Sequence, residues 1–528
     1  MNLYERFDRN VREHPHKPAF IYFQKGKWIT LTYADILAQT QRFISGLEAS
    51  PLIPGMSAAL MTPPSADFFP FALALLKFGI VPIILDPAVG LKKVGEILEE
   101  SKPDIFIGNT LTHASRILFG WGRKSVKQNL TINQFSRFTF HEPSSVVHRP
   151  SSDLAAIIYT SGSTGLPKGA VYTQENLTTQ LELLKNTFGI TPDEIDLPAF
   201  PLYALIDLLL GVTSVIPDIT FPVPGKTDAA KVIGAIQKFN VTNMFASPVV
   251  LDLLSFFAEN NHSSSYPILL SSLKRLITAG APATIDLQQR FRHLLADHTS
   301  LYGIYGATES LPIAKVESRE IFSLKEKTER GAGICLGKPI DGVTVRIIPI
   351  TDEPIEEWQD SLTVKPNVIG EITVQSGATT RGYINREDAN QVSKIEYRGE
   401  VIHRMGDVGY FDEEGRLWYC GRKSHRVITK DDVMFTEQIE NIFNAHPQVY
   451  RTALVGVEGE PVLWVELEKH VHVNEDKIRR ELIDMAQHHP QAEQIKVFLF
   501  KKKLPTDVRH NSKIIREELT NLARKRLS

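Results

Sequence analysis

The chain has 528 residues, 59 Lys and Arg against 61 Asp and Glu, and a formal net charge of −2. At roughly 100–200 residues per domain, this length predicts several domains or subdomains with large cores. The near-neutral charge excludes a general attraction to nucleic acid or to anionic membranes, so phosphate binding must be local. Cys335 and Cys420 are the two cysteines. Without a disulfide framework or a CxxC pair, a reducing cytoplasm is the expected location.

Two apolar stretches are long enough to be considered as membrane spans. Residues 68–85 are interrupted by one lysine, one glycine and two prolines. They predict instead a buried helix over 71–78 followed by a buried strand over 81–85. Residues 198–217 lie between two prolines and contain an aspartate and a glycine. We therefore expect no transmembrane segment, and the second stretch either lines a pocket or belongs to the core.

The sequence up to about residue 320 alternates short apolar runs with amphipathic segments, which predicts α/β layers. The predicted strands of this part are residues 58–61, 81–85, 105–107, 155–159, 241–246 and 276–278. Leu177, Leu181, Leu184 and Phe188 are spaced to share one helical face, and Gly189 is a typical helix end.

The sequence beyond residue 337 changes character and predicts a small β-rich subdomain. Its expected strands are residues 343–348, 371–375 and 417–419. The last hundred residues predict a small α+β domain with strands at 452–457, 462–467 and 495–500 and a helix through Ile478, Leu482 and Met485. We place the boundary at the Gly421–Ser424 segment. The fold is therefore predicted as α/β, with a large N-terminal domain over 1–420 and a small, mobile C-terminal domain over 421–528.

The segment YTSGSTGLPKG, residues 159–169, is the strongest local signal. It follows a predicted buried strand and precedes the predicted helix at Leu177. Glycines and small hydroxyl residues allow consecutive backbone N–H groups to face an anion, and Lys168 adds a positive charge. The pattern is not a Walker A loop, and a Ser/Gly surface linker is the alternative. The candidate phosphate-binding residues are Thr160, Ser161, Gly162, Ser163, Thr164, Gly165 and Lys168.

This loop resembles the phosphate loop of the acyl-adenylate-forming superfamily, which includes acyl-CoA synthetases, peptide-synthetase adenylation domains and firefly luciferase. Other motifs of that family follow in order over nearly the whole chain. They are Gly280-Ala281-Pro282, Tyr305-Gly306-Ala307-Thr308-Glu309, Gly370-Glu371-Ile372, Arg381-Gly382-Tyr383, Met405-Gly406-Asp407, Gly421-Arg422 and Asn511-Ser512-Lys513-Ile514-Ile515-Arg516.

The resemblance implies a role for each matching residue, with ATP and Mg²⁺ as cofactors. The implied nucleotide contacts are Tyr305 on adenine, Asp407 on both ribose hydroxyls and Thr308 on the α-phosphate, with Gly280, Ala281, Pro282, Gly306 and Arg422 around them. Glu309 would hold Mg²⁺, Lys168 would lie at the leaving phosphates, and Lys513 would act on the attacking carboxylate. Taken singly, Glu309, Asp407 and Lys513 could be ordinary surface or turn residues. Their occurrence in family order favours the joint interpretation.

Several departures from the common pattern concern the second half-reaction. CoA ligases usually carry Asp or Lys where this chain has Ser424, and a glycine where it has Asp431. An anionic side chain at the second position should obstruct a pantetheine thiol arm. The family's Pro-Leu-Phe-His segment is replaced by Pro201-Leu202-Tyr203-Ala204. The spacing from Pro505 to Lys513 is eight positions (513 − 505), where the family has six.

These departures together resemble one subgroup, the olefin β-lactone synthetases of bacterial long-chain hydrocarbon biosynthesis. The matching stretches are residues 200–205, 247–248, 305–312, 403–410, 421–427 and 507–513. The resemblance implies a long-chain β-hydroxy acid that is adenylated and then attacked by its own hydroxyl, which gives a β-lactone. CoA is not expected as an acceptor. Partner enzymes of hydrocarbon biosynthesis are compatible with this subgroup, whereas nucleic acid is not expected as a partner.

Other functions remain open at this point. A fatty acyl-CoA or acyl-carrier-protein ligase is the first alternative, and a stand-alone enzyme similar to a peptide synthetase is the second. A nucleotide sensor without turnover is disfavoured because Lys168, Glu309, Asp407 and Lys513 are all retained. His403 and His425 are candidate bases for the second step. A structural role is favoured for both, since the sequence identifies no partner for either.

Overall fold

The computed structural model describes residues 1–85, 89–135, 138, 153–160, 167–218, 224–260, 270–468, 474–506 and 513–527. Two parts of the predicted site lie outside these ranges. They are residues 161–165 of the phosphate loop and residues 511–512 before Lys513.

The first half of the chain alternates helices and strands. Its elements up to residue 173 are α1 (Leu3–Glu13), β1 (Pro18–Gln24), β2 (Lys27–Thr32), α2 (Tyr33–Glu48), β3 (Ser57–Met61), α3 (Phe68–Phe78), β4 (Val81–Ile84), α4 (Leu91–Ser101), β5 (Ile105–Gly108), α5 (Thr110–Phe119), β6 (Gln128–Leu130), α6 (Ile132–Phe135), β7 (Leu154–Tyr159) and β8 (Gly169–Thr173). The following elements are α7 (Gln174–Phe188), β9 (Ile195–Pro198), α8 (Ala204–Leu210), β10 (Thr213–Ile216), α9 (Ala229–Phe239), β11 (Asn243–Ala246), α10 (Pro248–Asn260), β12 (Arg275–Thr278), α11 (Ile285–Arg292), β13 (Ser300–Ala307) and β14 (Ser310–Glu317).

The second half contains more strand and ends in a small domain. Its elements up to residue 422 are α12 (Ser318–Ser323), α13 (Lys325–Lys327), β15 (Ile334–Pro339), β16 (Thr344–Ile348), β17 (Gly370–Gln375), α14 (Glu387–Ser393), β18 (Lys394–Tyr397), β19 (Glu400–Phe411) and β20 (Leu417–Arg422). The last elements are β21 (Val427–Ile428), β22 (Val433–Met434), α15 (Thr436–Asn444), β23 (Val449–Val457), β24 (Glu460–Leu467), α16 (Glu475–Gln487), β25 (Val497–Phe500) and α17 (Arg516–Leu527).

Two sheets organise the large domain. In the described part of the chain, a six-stranded sheet has the order β6-β5-β3-β4-β7-β8. A 14-stranded sheet runs β16-β17-β19-β20-β15-β14-β13-β12-β11-β9-β10-β1-β2, with β18 paired to β19. Its β9 to β13 strands are parallel neighbours, and the β-rich strands continue this sheet through β14 and β15.

Apolar helix faces cover these sheets and build the cores. Helix α3 is apolar almost all round, and its residues from Phe68 to Leu76 are buried. It packs with α1, α2 and α8 in one cluster, while α9, α10 and α11 cover β11 and β12 in another. Burial, and not a membrane, therefore accounts for the apolar run of residues 68–85. In the part of the chain that the structure describes, none of the helices is both long and apolar enough to cross a membrane.

The predicted elements are confirmed with small shifts of their ends. The exception is the connection after the phosphate loop, which joins β7 to the antiparallel strand β8 and not directly to a helix. Helix α7 follows, with Thr173 as its N-cap and Gly189 in the left-handed region (φ +61°) at its end. The α/β prediction of a large N-terminal domain and a small C-terminal domain is confirmed.

Candidate active site

The Tyr305–Glu309 motif forms the end of β13 and the turn into β14. Thr308 and Glu309 occupy that turn, because β13 ends at Ala307 and β14 begins at Ser310. Gly306 has no room for a side chain, since a Cβ there would lie 2.5 Å from Leu311 Cδ1 and 3.0 Å from the Ser310 carbonyl oxygen. The close approach of the two strands therefore explains the glycine of this motif.

Glu309 lies in a polar cluster that the structure assembles from distant segments. The Tyr383 hydroxyl donates to Glu309 Oε1 over 2.5 Å, and the Thr380 backbone N–H donates to the Glu309 carbonyl oxygen over 2.8 Å. Lys168 Nζ lies 5.1 Å from the centre of the Tyr383 ring. Burial lowers the pKa of Lys168, while the charge of Glu309 acts in the opposite direction. A cation and a carboxylate thus share one half-buried space.

Strand β8 connects this cluster to the phosphate loop. Ala170 forms a bridge with Tyr383, and the Ile384 N–H donates to the Gly169 carbonyl oxygen over 2.9 Å. At the base of the loop, the backbone N–H of Lys168 donates to Thr160 Oγ1 over 3.2 Å. These backbone contacts place Lys168 beside Tyr383.

Asp407 and Tyr305 form the opposite end of the site. The Tyr305 hydroxyl donates to Asp407 Oδ2 over 2.7 Å. Asp407 pairs with Arg422 between β19 and β20, and its Oδ1 lies 3.1 Å from Arg422 Nη1. That contact is not aligned as a hydrogen bond, and Oδ1 accepts none from the described residues. A buried carboxylate oxygen with an open acceptor position suits a ligand hydroxyl.

The pKa values at this end reflect burial in the first place. Burial raises the pKa of Asp407, and the nearby Arg422 and Tyr305 act against that rise. The Lys513 charge also acts to lower the pKa of Asp407. The role of Lys513 in adenylation stays a prediction.

The segment around Lys513 is held by contacts within the small domain. Ile514 forms a bridge with Thr506, and the Ile515 N–H donates to the Pro505 carbonyl oxygen over 2.9 Å. Arg516 binds both carboxylate oxygens of Glu440, at 2.6 and 3.0 Å. A bidentate ion pair of this kind fixes orientation as well as position, so the backbone that carries Lys513 is well anchored.

Gly280, Ala281 and Pro282 follow β12 directly. Strand β12 is parallel to β13, whose end carries Tyr305. The carboxyl ends of neighbouring parallel strands meet at one edge of a sheet, where α/β proteins usually bind ligands. Gly280 adopts φ +93°, which favours glycine. This segment therefore lies at the same edge as the Tyr305 motif.

Two residues of the cluster were not predicted from sequence. Tyr383 was recognised only as part of a motif, yet its hydroxyl contacts Glu309 directly. Lys394 donates to the Thr380 carbonyl oxygen over 2.6 Å, and its Nζ lies 5.5 Å from the Tyr383 ring centre. Burial lowers the pKa of Lys394 to about 7. No sequence signal identifies Lys394, because only the pairing of β18 with β19 brings it here.

The two candidate histidines both have pKa values that are lowered by burial. His403 is buried and its Nδ1 faces the Ser393 carbonyl oxygen at 3.0 Å. Burial and the neighbouring Lys394 hold the pKa of His403 well below its usual value. His425 is half-buried, and burial together with Arg516 lowers its pKa to about 3. The Ser393 contact gives His403 a structural partner, and the choice between a structural role and a base stays a prediction for both histidines.

The two residues linked to CoA use, Ser424 and Asp431, are both exposed. Ser424 is exposed in a short 3₁₀ helix that follows β20. Asp431 is exposed in the turn between β21 and β22, where its N–H faces Thr429 Oγ1 at 3.4 Å. The obstruction of a thiol arm by Asp431 stays a prediction.

The donor set at Glu309 is compatible with Mg²⁺. Within the described ranges, no group of three or more His, Cys, Asp or Glu side chains is arranged to hold a metal by itself. Mg²⁺ is commonly held by one or two carboxylates, with substrate phosphates and water completing its octahedron. The single carboxylate of Glu309, next to the cation of Lys168, fits that mode of binding.

A family model described as AMP-binding enzyme matches residues 7–384. The chain is 39% identical over 511 residues to an olefin β-lactone synthetase from Xanthomonas campestris pv. campestris, with 93% of this chain and 90% of that protein covered. It is 37% identical over 510 residues to the protein of the same name from Stenotrophomonas maltophilia, with 93% and 91% covered.

Solved structures show the same fold at lower identity. The TM-score is 0.77 with O-succinylbenzoate coenzyme A synthetase from Bacillus subtilis in complex with AMP, at 22% identity and 98% coverage of both chains. It is 0.80 with ATP-bound MatB from Rhodopseudomonas palustris, at 21% identity and complete coverage of both chains. The family model and the two relatives together span most of the sequence. The chain therefore belongs to the AMP-binding family of ligases, as do the two olefin β-lactone synthetases that it matches.

Proposed function

We propose that the protein adenylates a long-chain β-hydroxy fatty acid and then closes the acyl-adenylate to a β-lactone, with release of pyrophosphate and AMP. The observation that carries this proposal is the identity of 39% and 37%, over nine-tenths of the chain, to two proteins named olefin β-lactone synthetase. The substitutions at Ser424 and Asp431, and the retention of the acid-activating residues, support it.

In the first step a carboxylate oxygen attacks the α-phosphorus of ATP and the bond to pyrophosphate breaks. Tyr305 would stack on adenine and Asp407 would accept hydrogen bonds from the ribose, using the open Oδ1 position. Thr308 would contact the α-phosphate. Both reactants are anionic, so charge neutralisation and positioning should supply most of the acceleration. Lys168 would act at the leaving phosphates and Lys513 at the attacking carboxylate.

Glu309 would hold Mg²⁺, and the bound ion would neutralise charge on the phosphates. The Tyr383 hydroxyl, which donates to Glu309 Oε1, orients this carboxylate. The remaining predicted loop residues, 161–165, would donate backbone N–H groups to phosphate oxygens.

In the second step the β-hydroxyl oxygen attacks the acyl carbon of the adenylate. A new C–O bond closes the four-membered ring, the bond from the acyl carbon to the AMP oxygen breaks, and the hydroxyl proton is released. Because the nucleophile belongs to the substrate, its effective concentration is high and no second substrate has to enter. Because no thiol arm has to enter, the anionic side chain of Asp431 is compatible with this reaction.

We further propose that the small domain begins at about residue 421 and swings relative to the rest. Strand β20 ends at Arg422 as part of the large sheet. The later strands of the described chain pair only with one another, β21 with β22 and β24 with both β23 and β25. Lysine delivery for adenylation and its withdrawal afterwards would require movement at this joint.

The test is product analysis with purified protein, ATP, Mg²⁺ and a long-chain 3-hydroxy acid, with and without CoA. We expect AMP formation and a lactone in the absence of CoA, detected by mass spectrometry. The matching acid without a hydroxyl is the control. It should be adenylated but give no lactone, because it lacks the internal nucleophile.

The alternatives predict other products in the same assay. A product that forms only when CoA is present would replace the lactone proposal by an acyl-CoA ligase. Transfer only to an added acyl carrier protein would identify a carrier-protein ligase. Adenylation of amino acids but not of fatty acids would favour an enzyme similar to a peptide synthetase.

A further inference from the structure

Helix α5 presents its apolar side to solvent. Leu111, Ile117 and Leu118 are 74%, 77% and 78% exposed, and Phe119 at the end of the helix is 51% exposed. None of the residues of this helix is buried. Leu111 and Leu118 are seven positions apart and lie on one line along the helix, whereas Ile117 is offset from them by about 100° to 120° around the helix axis. The Phe119 ring stacks on Trp121, with ring centres 5.6 Å apart. Leu111, Ile117, Leu118 and Phe119 together form an exposed apolar strip at the outer side of the helix.

His113 and Arg116 of α5 face the protein instead. The His113 ring lies 5.4 Å from the Phe106 ring, and its Nε2 faces the Leu130 carbonyl oxygen at 3.0 Å. The Arg116 guanidinium lies 5.6 Å from the Phe106 ring centre, and burial lowers the pKa of Arg116. Contacts with β5 and with the end of β6 therefore fix which side of α5 points outward.

The helix is also well defined at both ends. Asn109 and Thr112 form a capping box at its N-terminus, and Gly120 ends it with φ +67°. Capping of this kind stabilises a short helix in one position. The apolar strip is thus presented by an ordered element and is not the result of local fraying.

The surroundings of the strip are basic. Residues 109–131 contain no Asp or Glu and four cations, Arg116, Arg123, Lys124 and Lys127. Lys127 is paired with Asp104 at 2.8 Å. Arg123 and Lys124 are exposed and follow the helix within five residues of its end. This local charge exists although the chain as a whole is nearly neutral.

We propose that α5 and the following turn form a docking surface for an anionic lipid bilayer, with Leu111, Ile117, Leu118 and Phe119 inserted among the acyl chains. An apolar helix side flanked by cations is the pattern of helices that lie in the membrane interface. The negative surface potential of such a bilayer attracts nearby Lys and Arg side chains. This surface would bring the protein to the phase in which long-chain acids dissolve, but its binding does not depend on the proposed reaction.

The proposal is tested by flotation of the full chain with vesicles of equal parts phosphatidylethanolamine and phosphatidylglycerol. We expect the protein to float with these vesicles and not with vesicles of phosphatidylcholine alone. The variant carrying both Ile117→Asp and Leu118→Asp should lose at least tenfold in apparent affinity. Arg123→Glu combined with Lys124→Glu should abolish the preference for the anionic vesicles.

Phe256→Asp is the matched control, since Phe256 is 62% exposed on α10. It should bind vesicles like the unchanged protein. Thermal unfolding and ATP–pyrophosphate exchange should be unchanged in all three variants, because none of these residues lies in the site. Equal vesicle binding by the unchanged protein and the α5 variant would overturn the proposal. So would a change in sedimentation without any vesicle binding, which would identify the strip as a contact between protein molecules.

Discussion

Lys513 and Asp407 belong to different domains, yet the lysine charge acts on the pKa of the aspartate. The segment that carries Lys513 is anchored within the small domain by the Arg516–Glu440 pair and by the bridge between Thr506 and Ile514. For the adenylation role that we propose for Lys513, such anchoring would matter, because a displacement of 1 Å can cost about 100-fold in rate.

Lys513→Ala should lower the rate of acyl-adenylate formation by about 100- to 1,000-fold, as expected for loss of one group that stabilises transition-state charge. ATP binding should change little, because Tyr305 and Asp407 remain. ATP–pyrophosphate exchange measures the first quantity and equilibrium dialysis the second.

Lys503→Ala is a suitable control because Lys503 is exposed in the same domain. It should leave both quantities unchanged. Normal pyrophosphate exchange in Lys513→Ala would exclude this lysine from the adenylation step.

At the scale of elements, strand β9 and helix α8 each carry a buried carboxyl group, Asp196 and Asp207. Asp196 is 5% exposed and Asp207 is 3% exposed, and Ser214 Oγ donates to Asp207 Oδ2 over 2.6 Å. Asp196 Oδ2 has no donor among the described residues. A proton shared between the two acids would supply the missing donor to Asp196 Oδ2. Such sharing is expected because two buried carboxylates cannot both ionise at low cost. Asp207 thus interrupts an apolar stretch for a structural reason that sequence could not reveal.

The shared proton makes stability depend on pH. Burial raises the pKa of Asp196 to about 7, and burial together with Asp196 raises the pKa of Asp207 well above its usual value. The folded state therefore holds more protons than the unfolded state once the pH exceeds about 4. Stability should fall as the pH rises through 7, because unfolding then releases protons.

Asp207→Asn should weaken this dependence, since its amide oxygen can accept from Ser214 and its N–H can donate to Asp196. From pH 5.5 to pH 8.5 we expect the free energy of unfolding to fall by about 1–2 kcal/mol less than in the unchanged protein. Urea unfolding at pH 5.5 and at pH 8.5 measures this change in the free energy of unfolding.

Asp286→Asn, at an exposed position of α11, is the control and should retain the original pH dependence. Parallel pH curves for the unchanged protein and Asp207→Asn would show that the two acids share no proton.

At the scale of the whole molecule, side chains of the small domain contact the segment around Gly331 in the large domain. Gln438 Nε2 donates to the Gly331 carbonyl oxygen over 3.0 Å, and Gln491 Nε2 donates to the Arg330 carbonyl oxygen over 2.8 Å. Gly331 adopts φ +88°, and a Cβ there would overlap Gln491 Nε2 and lie 3.1 Å from Ile442 Cδ1. This glycine lets the two domains approach closely.

Gly331→Ala should therefore disfavour this arrangement and slow adenylation by about tenfold, which corresponds to about 1.4 kcal/mol. The affinity for ATP should remain nearly unchanged. Single-turnover pyrophosphate release measures the rate.

Gly399→Ala separates the effect of the contact from that of the backbone. Gly399 adopts φ +80° with nothing within 4 Å of its ideal Cβ. Its substitution brings similar backbone strain without a clash, so the adenylation rate should be preserved. Equal rates in the two variants would mean that the Gly331 contact does not control the domain arrangement.

The sequence by itself determined the layered α/β fold, the order of most elements and the motif residues, because helical and strand periodicity and the short motifs are local properties. Lys168, Glu309, Asp407 and Lys513 could be found in this way. Only the tertiary structure decided which side chains surround them. Tyr383 and Lys394 reach Glu309 through pairing between strands, and α5 turns its apolar side outward through contacts with β5 and β6. The net charge of −2 excluded a general attraction to membranes. The fold nevertheless places a few cations around one apolar strip. Such proximity depends on the folding of distant segments onto one another, which local periodicity does not encode.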